Sequence, residues 1–287
     1  MDLPFRMLNV FAVEDDRLSG NPLCVFEDGR GLTEEQMQAL ARQMNLSESV
    51  FLLPPSAVTA TKRVRIFTPS LELPFAGHPS LGSAAVVRAL LADGSASSVI
   101  LEMQAGLVPV TCREDTWTLR AARAPTFLAP PLERETLAAM LGVPRPALAG
   151  AATWVNTGAE QLLVPLADVA AVQAAQPDAA LLARHAYSEL RGGAMVYVWA
   201  PLDAEQVVAR FFFLKGTSVI EDPATGSACA NLGAWLRSQQ VPAPLTRTIW
   251  QGQAVGRPSR LDLAVDADGA IFVSGKVVEV ARGVFQL

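Results

Sequence analysis

The sequence predicts an α+β protein built from two copies of one domain. Three observations lead there. The chain has 287 residues, and that length suggests about two domains rather than one small core. Apolar residues make up 51% and charged residues 18%, a composition that fills a large interior. The third observation is a repeated order: strand, turn, strand, helix, strand, strand, polar loop, apolar helix. Gly82-Ser83-Ala84 aligns on Gly226-Ser227-Ala228 at an offset of 144, and Arg65-Ile66-Phe67 aligns on Arg210-Phe211-Phe212 at 145, about half the chain. That period is too long for a solenoid, so the expectation is two similar domains, residues 1–122 and 123–287. The last strand, about 277–287, is expected to return to the first domain.

Each element has a local cause. Met7–Val13 alternates like a strand, and Asp15–Pro22 is turn chemistry ending in Ser19-Gly20-Asn21-Pro22. Leu23–Phe26 reads as a second strand. Thr33 followed by Gln36 is a capping box, and Met37, Leu40, Ala41 and Met44 have helical spacing, so a helix ends near Asn45. Ser49–Leu53 and the alternating Arg63–Thr68 are strands, the second stopped by Pro69. A loop through His78 leads to an apolar helix over Gly82–Leu91, closed by Asp93-Gly94. Ser98–Val108 and Trp117–Leu119 are further strands, and the Ala- and Pro-rich 121–131 stretch marks the boundary. The second half gives strands over Thr153–Pro165 with a turn at Gly158, Ala-rich helix to His185, and strands at Met195–Trp199 and Val207–Leu214. A helix over Ser227–Gln239 follows, then strands within Ile249–Leu263 and Ile271–Val280.

Several functions are set aside. A net charge of -5 offers no basic face for nucleic acid or an anionic membrane surface. Three cysteines without CxxC spacing are neither a disulfide framework nor a zinc site, and two histidines cannot build a His-rich metal centre. P-loop, GxGxxG, GxSxG and HExxH motifs are missing. With no secretory leader pattern and no long apolar run, the expectation is a cytoplasmic protein with reduced thiols and no membrane partner.

Chemistry concentrates at two stretches. Glu221-Asp222-Pro223-Ala224-Thr225-Gly226-Ser227-Ala228 delivers polar groups to a helix start, and Phe75-Ala76-Gly77-His78-Pro79-Ser80 echoes it. A helix N-terminus has unpaired N–H groups and a dipole that favour a carboxylate, so two such ends facing one site suit a small acid. The alternative is that Thr225 or Ser227 caps its own helix. Glu48 lies just before an apolar strand, where desolvation would raise its pKa toward that of a general acid/base; the alternative is an exposed loop glutamate. His78 in its Gly-His-Pro loop is a proton shuttle or a structural partner, and Asp222 assists chemistry or holds its turn.

These motifs carry a resemblance. Asn45-Leu46-Ser47-Glu48, Phe67-Thr68-Pro69, Glu72–Pro79, Glu221–Ala228, Gln251-Gly252 and Gly256-Arg257, in order over most of the chain, resemble the phenazine-biosynthesis PhzF-like isomerase family. The resemblance implies a diaminopimelate-epimerase-like fold: two pseudo-symmetric domains, each a curved, mostly antiparallel sheet or barrel around a central helix. It also implies a homodimer, with Glu48 as the proton-transfer residue and His78 and Asp222 lining the same site. Gly77 and Ser227 fall on substrate-contacting positions, and Ser80, Thr225 and Gly226 complete the expected binding set. Related epimerases use a cysteine at each helix start. Here neither loop has one, and Cys229 lies inside the helix, so two-thiol racemisation is not expected. The resulting expectation is a cofactor-independent, metal-free isomerase that moves a proton and a double bond on a small carboxylate substrate. An amino- or hydroxy-acid racemase, or a non-catalytic binding protein, are the alternatives.

Overall fold

The structure is a computed structural model that describes residues 1–287 apart from 15, 92, 93 and 95. The expected turn start at Asp15 and helix stop at Asp93 lie outside the described residues. The chain divides into two compact units, Met1–Arg120 with Ser274–Leu287, and Ala121–Val273.

The first unit contains β1 (Asp2–Val10), β2 (Asn21–Phe26), α1 (Glu34–Met44), β3 (Ser49–Leu53), β4 (Lys62–Phe67), β5 (Glu72–Leu73), α2 (Gly77–Leu90), β6 (Ser98–Met103), β7 (Gly106–Arg113) and β8 (Thr116–Arg120). β2–β3 and β4–β6 are parallel pairs, each joined through a helix, while β1–β2, β3–β4, β6–β7 and β7–β8 are antiparallel. The final strand β18 (Ile271–Gln286) pairs with both β8 and β1. Among the described residues these strands therefore close into a barrel, which leaves no free edge. Helix α2 touches seven of its strands and fills the interior. Its apolar residues Leu81, Ala84, Val86 and Val87 are buried all round, as a central helix must be. Gly82 makes the fit possible: a Cβ there would stand 2.4 Å from Leu23 Cδ2 and 3.2 Å from Val10 Cγ2.

Outside the barrel, α1 covers Cys24, Phe26, Phe51 and Phe67 with its buried face Met37, Leu40 and Ala41. The capping box is present. Thr33 N donates to Gln36 Oε1 at 2.9 Å and Gln36 N donates to Thr33 Oγ1 at 3.3 Å. The helix ends on Asn45 in the left-handed region, φ 50°, a conformation asparagine tolerates.

The second unit holds β9 (Thr126–Leu128), α3 (Arg134–Leu141), β10 (Thr153–Asn156), β11 (Glu160–Pro165), α4 (Val169–Ala174), α5 (Ala179–His185) and β12 (Tyr187–Ser188). It continues with β13 (Gly193–Pro201), β14 (Gln206–Lys215), β15 (Ser218–Asp222), α6 (Gly226–Ser238), β16 (Leu245–Gln251), β17 (Ser259–Val265) and the first residues of β18. Its pairing order repeats the first: β10–β11 antiparallel, β11–β13 parallel, β13–β14 and β14–β15 antiparallel, β14–β16 parallel, β16–β17 antiparallel. Strand β13 is buried on both faces. Val196 and Val198 join the core under α3, α4 and α5, while Trp199, on the other face, stacks edge-on with Trp235 of α6 at 4.9 Å.

The registers align the two halves residue by residue. Phe67 faces Ser49 and Glu72, and Phe212 faces Val196 and Glu221. Gly77 and Gly226 each begin the helix that follows. The Gly82-on-Gly226 alignment is therefore corrected to Gly77-on-Gly226, an offset of 149, because the strands of the β14–β15 hairpin are longer than those of the β4–β5 hairpin. The helix expected at Gly82 starts five residues earlier, so His78 is helical rather than in a loop. Proline is tolerated in a first helical turn, where an N–H would lack a helical partner anyway, and Pro79 does not delay the start. Ser98–Val108 is the hairpin β6–β7 rather than one strand, and α3, β9 and β15 were not foreseen.

Candidate active site

In the first unit the chain leaves α1 through Asn45, turns at Leu46-Ser47 and enters β3. Strand alternation carried back one residue puts Glu48 on the same face as Val50 and Leu52, toward α2. His78 is the second residue of α2. Glu48 Oε2 and His78 Nε2 lie 3.6 Å apart, with side chains 16% and 7% exposed. The gap is longer than a direct hydrogen bond. Burial takes the His78 imidazole down from 6.5 to about 3, so it is neutral at neutral pH. The start of α2 has no side-chain cap and no acidic residue in its first turn. Its Gly77 and His78 N–H groups belong to the open set of a helix end. Ser80 is fully buried, and its hydroxyl donates back to Ala76 O at 2.7 Å.

In the second unit Asp222 ends β15, and a tight network joins it to α6. Thr225 Oγ1 donates to Asp222 Oδ2 at 2.5 Å. Gln251 Nε2 donates to Asp222 O at 2.8 Å and to Thr225 Oγ1 at 3.1 Å. Thr225 thus binds its turn, and its side chain does not cap its own helix. Gly252, at φ +83°, lets Gln251 approach: a Cβ there would be 2.2 Å from Arg257 O and 2.6 Å from Pro223 O. Ser227 Oγ accepts from Gln161 Nε2 at 2.8 Å. Gln161 and Gln251 were not singled out from sequence for these contacts; only the Gln251-Gly252 dipeptide hinted at one of them.

The duplicated registers show that the two halves carry different chemistry. Glu48 corresponds to Met195, His78 to Ser227, and Asp222 to Leu73. Ser80 corresponds to Cys229, which is fully buried with its thiol pKa pushed up by desolvation, the reverse of an activated nucleophile. Among the described residues no three His, Cys, Asp or Glu side chains gather as a metal site.

Residues 8–283 match the phenazine biosynthesis-like protein family, PhzC-PhzF. The chain belongs to this family. An uncharacterised isomerase of Pasteurella multocida is 37% identical over 281 residues, covering 97% of this chain and 92% of that one. The trans-2,3-dihydro-3-hydroxyanthranilate isomerase of Pseudomonas aeruginosa is 34% identical over 290 residues, covering 97% and 98%. The crystal structure of a Bacillus anthracis phenazine biosynthesis protein of the PhzF family shares the fold over 100% of both chains, with a TM-score of 0.86 at 23% identity. The PhzF-like chain is an isomerase by class. None of its helices is long and apolar enough to cross a membrane, among the described residues.

Proposed function

We propose that this PhzF-like chain moves a proton, and with it a double bond, on a small carboxylic acid without a cofactor. Glu48 takes the proton from one carbon, the electron pair delocalises into the substrate's unsaturation, and the proton returns at another carbon. The observation that carries this reading is the half-buried Glu48 beside the buried His78 in a protein whose second half has Met195 and Ser227 at the matching positions. A single carboxylate fits removal and return of one proton, and neither helix start carries the cysteine that related two-base epimerases use there. A neutral His78 supplies hydrogen-bonding capacity beside developing charge and does not compete as a cation for the Glu48 carboxylate. In the proposal the N–H groups of Gly77, Gly226 and Ser227 hold the substrate carboxylate, and Asp222, oriented by Thr225, assists proton transfer. A homodimer working in the cytoplasm completes the proposal.

The test uses trans-2,3-dihydro-3-hydroxyanthranilate, the compound in the name of the 34%-identical relative, as substrate in deuterated water. The expected product has a shifted double bond and one solvent deuteron on carbon. Glu48→Gln is expected to bind the compound within about threefold of wild type and to lose about a thousandfold or more in kcat, the upper part of the usual general-base range. Near-normal turnover by Glu48→Gln would remove Glu48 from the mechanism. Deuterium exchange at the α-carbon without bond migration would select racemisation instead.

A further inference from the structure

Beneath the start of α6 lies a run of buried amides that the chemistry above does not use. Asn231 is 0% exposed, Gln161 1% and Thr157 3%. Asn231 Oδ1 accepts from Thr157 N at 2.9 Å and Thr157 Oγ1 at 2.7 Å. Its Nδ2 donates to Val155 O and Ala159 O, both at 2.8 Å, and to Gln161 Oε1. Gln161 Nε2 then donates to Ser227 Oγ.

This network has a direction, and backbone groups set it. A peptide N–H only donates and a carbonyl only accepts. Thr157 N and the carbonyls of Val155 and Ala159 therefore fix which end of the Asn231 amide is oxygen. Asn231 Nδ2 in turn requires the oxygen of Gln161 to face it, because a flipped Gln161 would set two donors against each other. The Gln161 amino group must then face Ser227. Ser227 can only accept from it, so its own hydrogen points elsewhere. Among the described residues Ser227 Oγ donates to no protein acceptor. Ser80, by contrast, satisfies its hydroxyl on Ala76 O.

The first half of the chain shows that the fold does not need this network. The registers place Leu23 where Gln161 stands, Val10 where Thr157 stands and Gly82 where Asn231 stands. There the same three positions are in apolar contact. Polar residues were installed only in the half whose helix start carries Ser227.

We infer that Gln161 and Asn231 are positioning residues that hold the Ser227 hydroxyl as an obligate hydrogen-bond donor to bound ligand, favouring an acceptor-only carboxylate over an amide. The inference rests on the proposed carboxylate role of the α6 start.

The experiment measures binding of 2-aminobenzoate and 2-aminobenzamide by calorimetry to wild type, Ser227→Ala, Gln161→Met and the double variant. Thermal melts check folding. Wild type is expected to prefer the carboxylate. Ser227→Ala should weaken it about tenfold, the scale of one hydrogen bond to a charged group. Gln161→Met, which frees the hydroxyl to rotate, should weaken it about three- to fivefold, but by less than twofold in the Ser227→Ala background. Gln161→Glu keeps the shape and reverses the polarity: its carboxylate draws the Ser227 hydrogen inward, so the loss should exceed that of Gln161→Met and recover as pH falls and the glutamate becomes a donor. Wild type that ignores 2-aminobenzoate, or a silent Ser227→Ala, overturns the carboxylate reading and the inference with it. A weakened Ser227→Ala with a silent or fully additive Gln161→Met overturns the positioning role alone.

Discussion

Arg65 and Arg210 hold the same place in the two halves of the chain. Each reaches across a hairpin to a glutamate, Arg65 to Glu72 at 2.6 Å and Arg210 to Glu221 at 2.7 Å. Each also lies over the phenylalanine two residues on, Phe67 at 5.1 Å and Phe212 at 4.6 Å. Their neighbours differ: Arg65 also binds Glu34 at the start of α1, while Arg210 Nη1 donates to the carbonyls of Val172, Gln173 and Ala175 at the end of α4. The pair fixes the strand that delivers each helix start, so an old duplication survives in side-chain detail.

Breaking one such pair should be costly. Arg210 and Glu221 side chains are 13% and 7% exposed, so Arg210→Met leaves a carboxylate with little water. The expected loss is about 3 kcal/mol in urea unfolding, and Arg210→Met with Glu221→Leu should regain much of it. Equal losses in the single and double variants would show that packing, not the pair, is at stake.

Stability should fall on acidification through His78. Its folded pKa of about 3 lies below the ordinary 6.5, so between these values the unfolded chain binds a proton that the folded one does not. The contribution is therefore complete above about pH 6.5 and declines as pH falls toward 3, with a limiting slope of about 1.4 kcal/mol per pH unit. Urea midpoints at pH 7, 6 and 5 for wild type and His78→Asn measure it. The variant should lose this part of the slope, and parallel curves would refute the assignment.

Gly252→Ala should damage the second unit's polar turn. The added carbon meets two carbonyl oxygens, Arg257 O and Pro223 O, at a φ of +83°. Gly269, with a φ of +84° and open space around it, is the control. Gly269→Ala should cost about 1 kcal/mol from the left-handed backbone alone, whereas Gly252→Ala should cost at least 2 kcal/mol more and depress turnover. Similar denaturation midpoints for the two variants would contradict the close approach.

The cysteines should be spectators. Cys24 and Cys229 are fully buried, and desolvation pushes the Cys24 thiol up to about 12 and Cys229 higher still. Both should resist a thiol reagent until the protein unfolds. Cys229→Ala should keep turnover within about threefold at a stability cost of about 1 to 2 kcal/mol. Loss of turnover in a folded Cys229→Ala protein would reopen thiol chemistry.

Local grammar was legible where neighbours in sequence are also neighbours in space. The Thr33–Gln36 capping box, the helix end at Asn45 and the Gly158 turn all follow from residues a few positions apart. The repeat was legible too, because duplicated packing preserves strand patterns such as Arg65–Phe67 and Arg210–Phe212. The start of α2 was misplaced because proline reads as a breaker unless its first-turn position is known. The role of Glu48 came from the motif resemblance, because its sequence surroundings alone favoured an exposed loop glutamate.

The sequence by itself determined an α+β duplication, its family and the residue types at each helix start. Those are properties of pattern, carried by side-chain periodicity and by short polar motifs. Tertiary structure alone decided that Glu48 stands 3.6 Å from His78 and that the matching place in the second half holds Met195. It alone joined Gln161 to Ser227 and to Asn231, across 66 and 70 residues of chain. Hydrogen bonds and burial depend on distances in space, and strand pairing brings together residues whose separation along the chain carries no local signal.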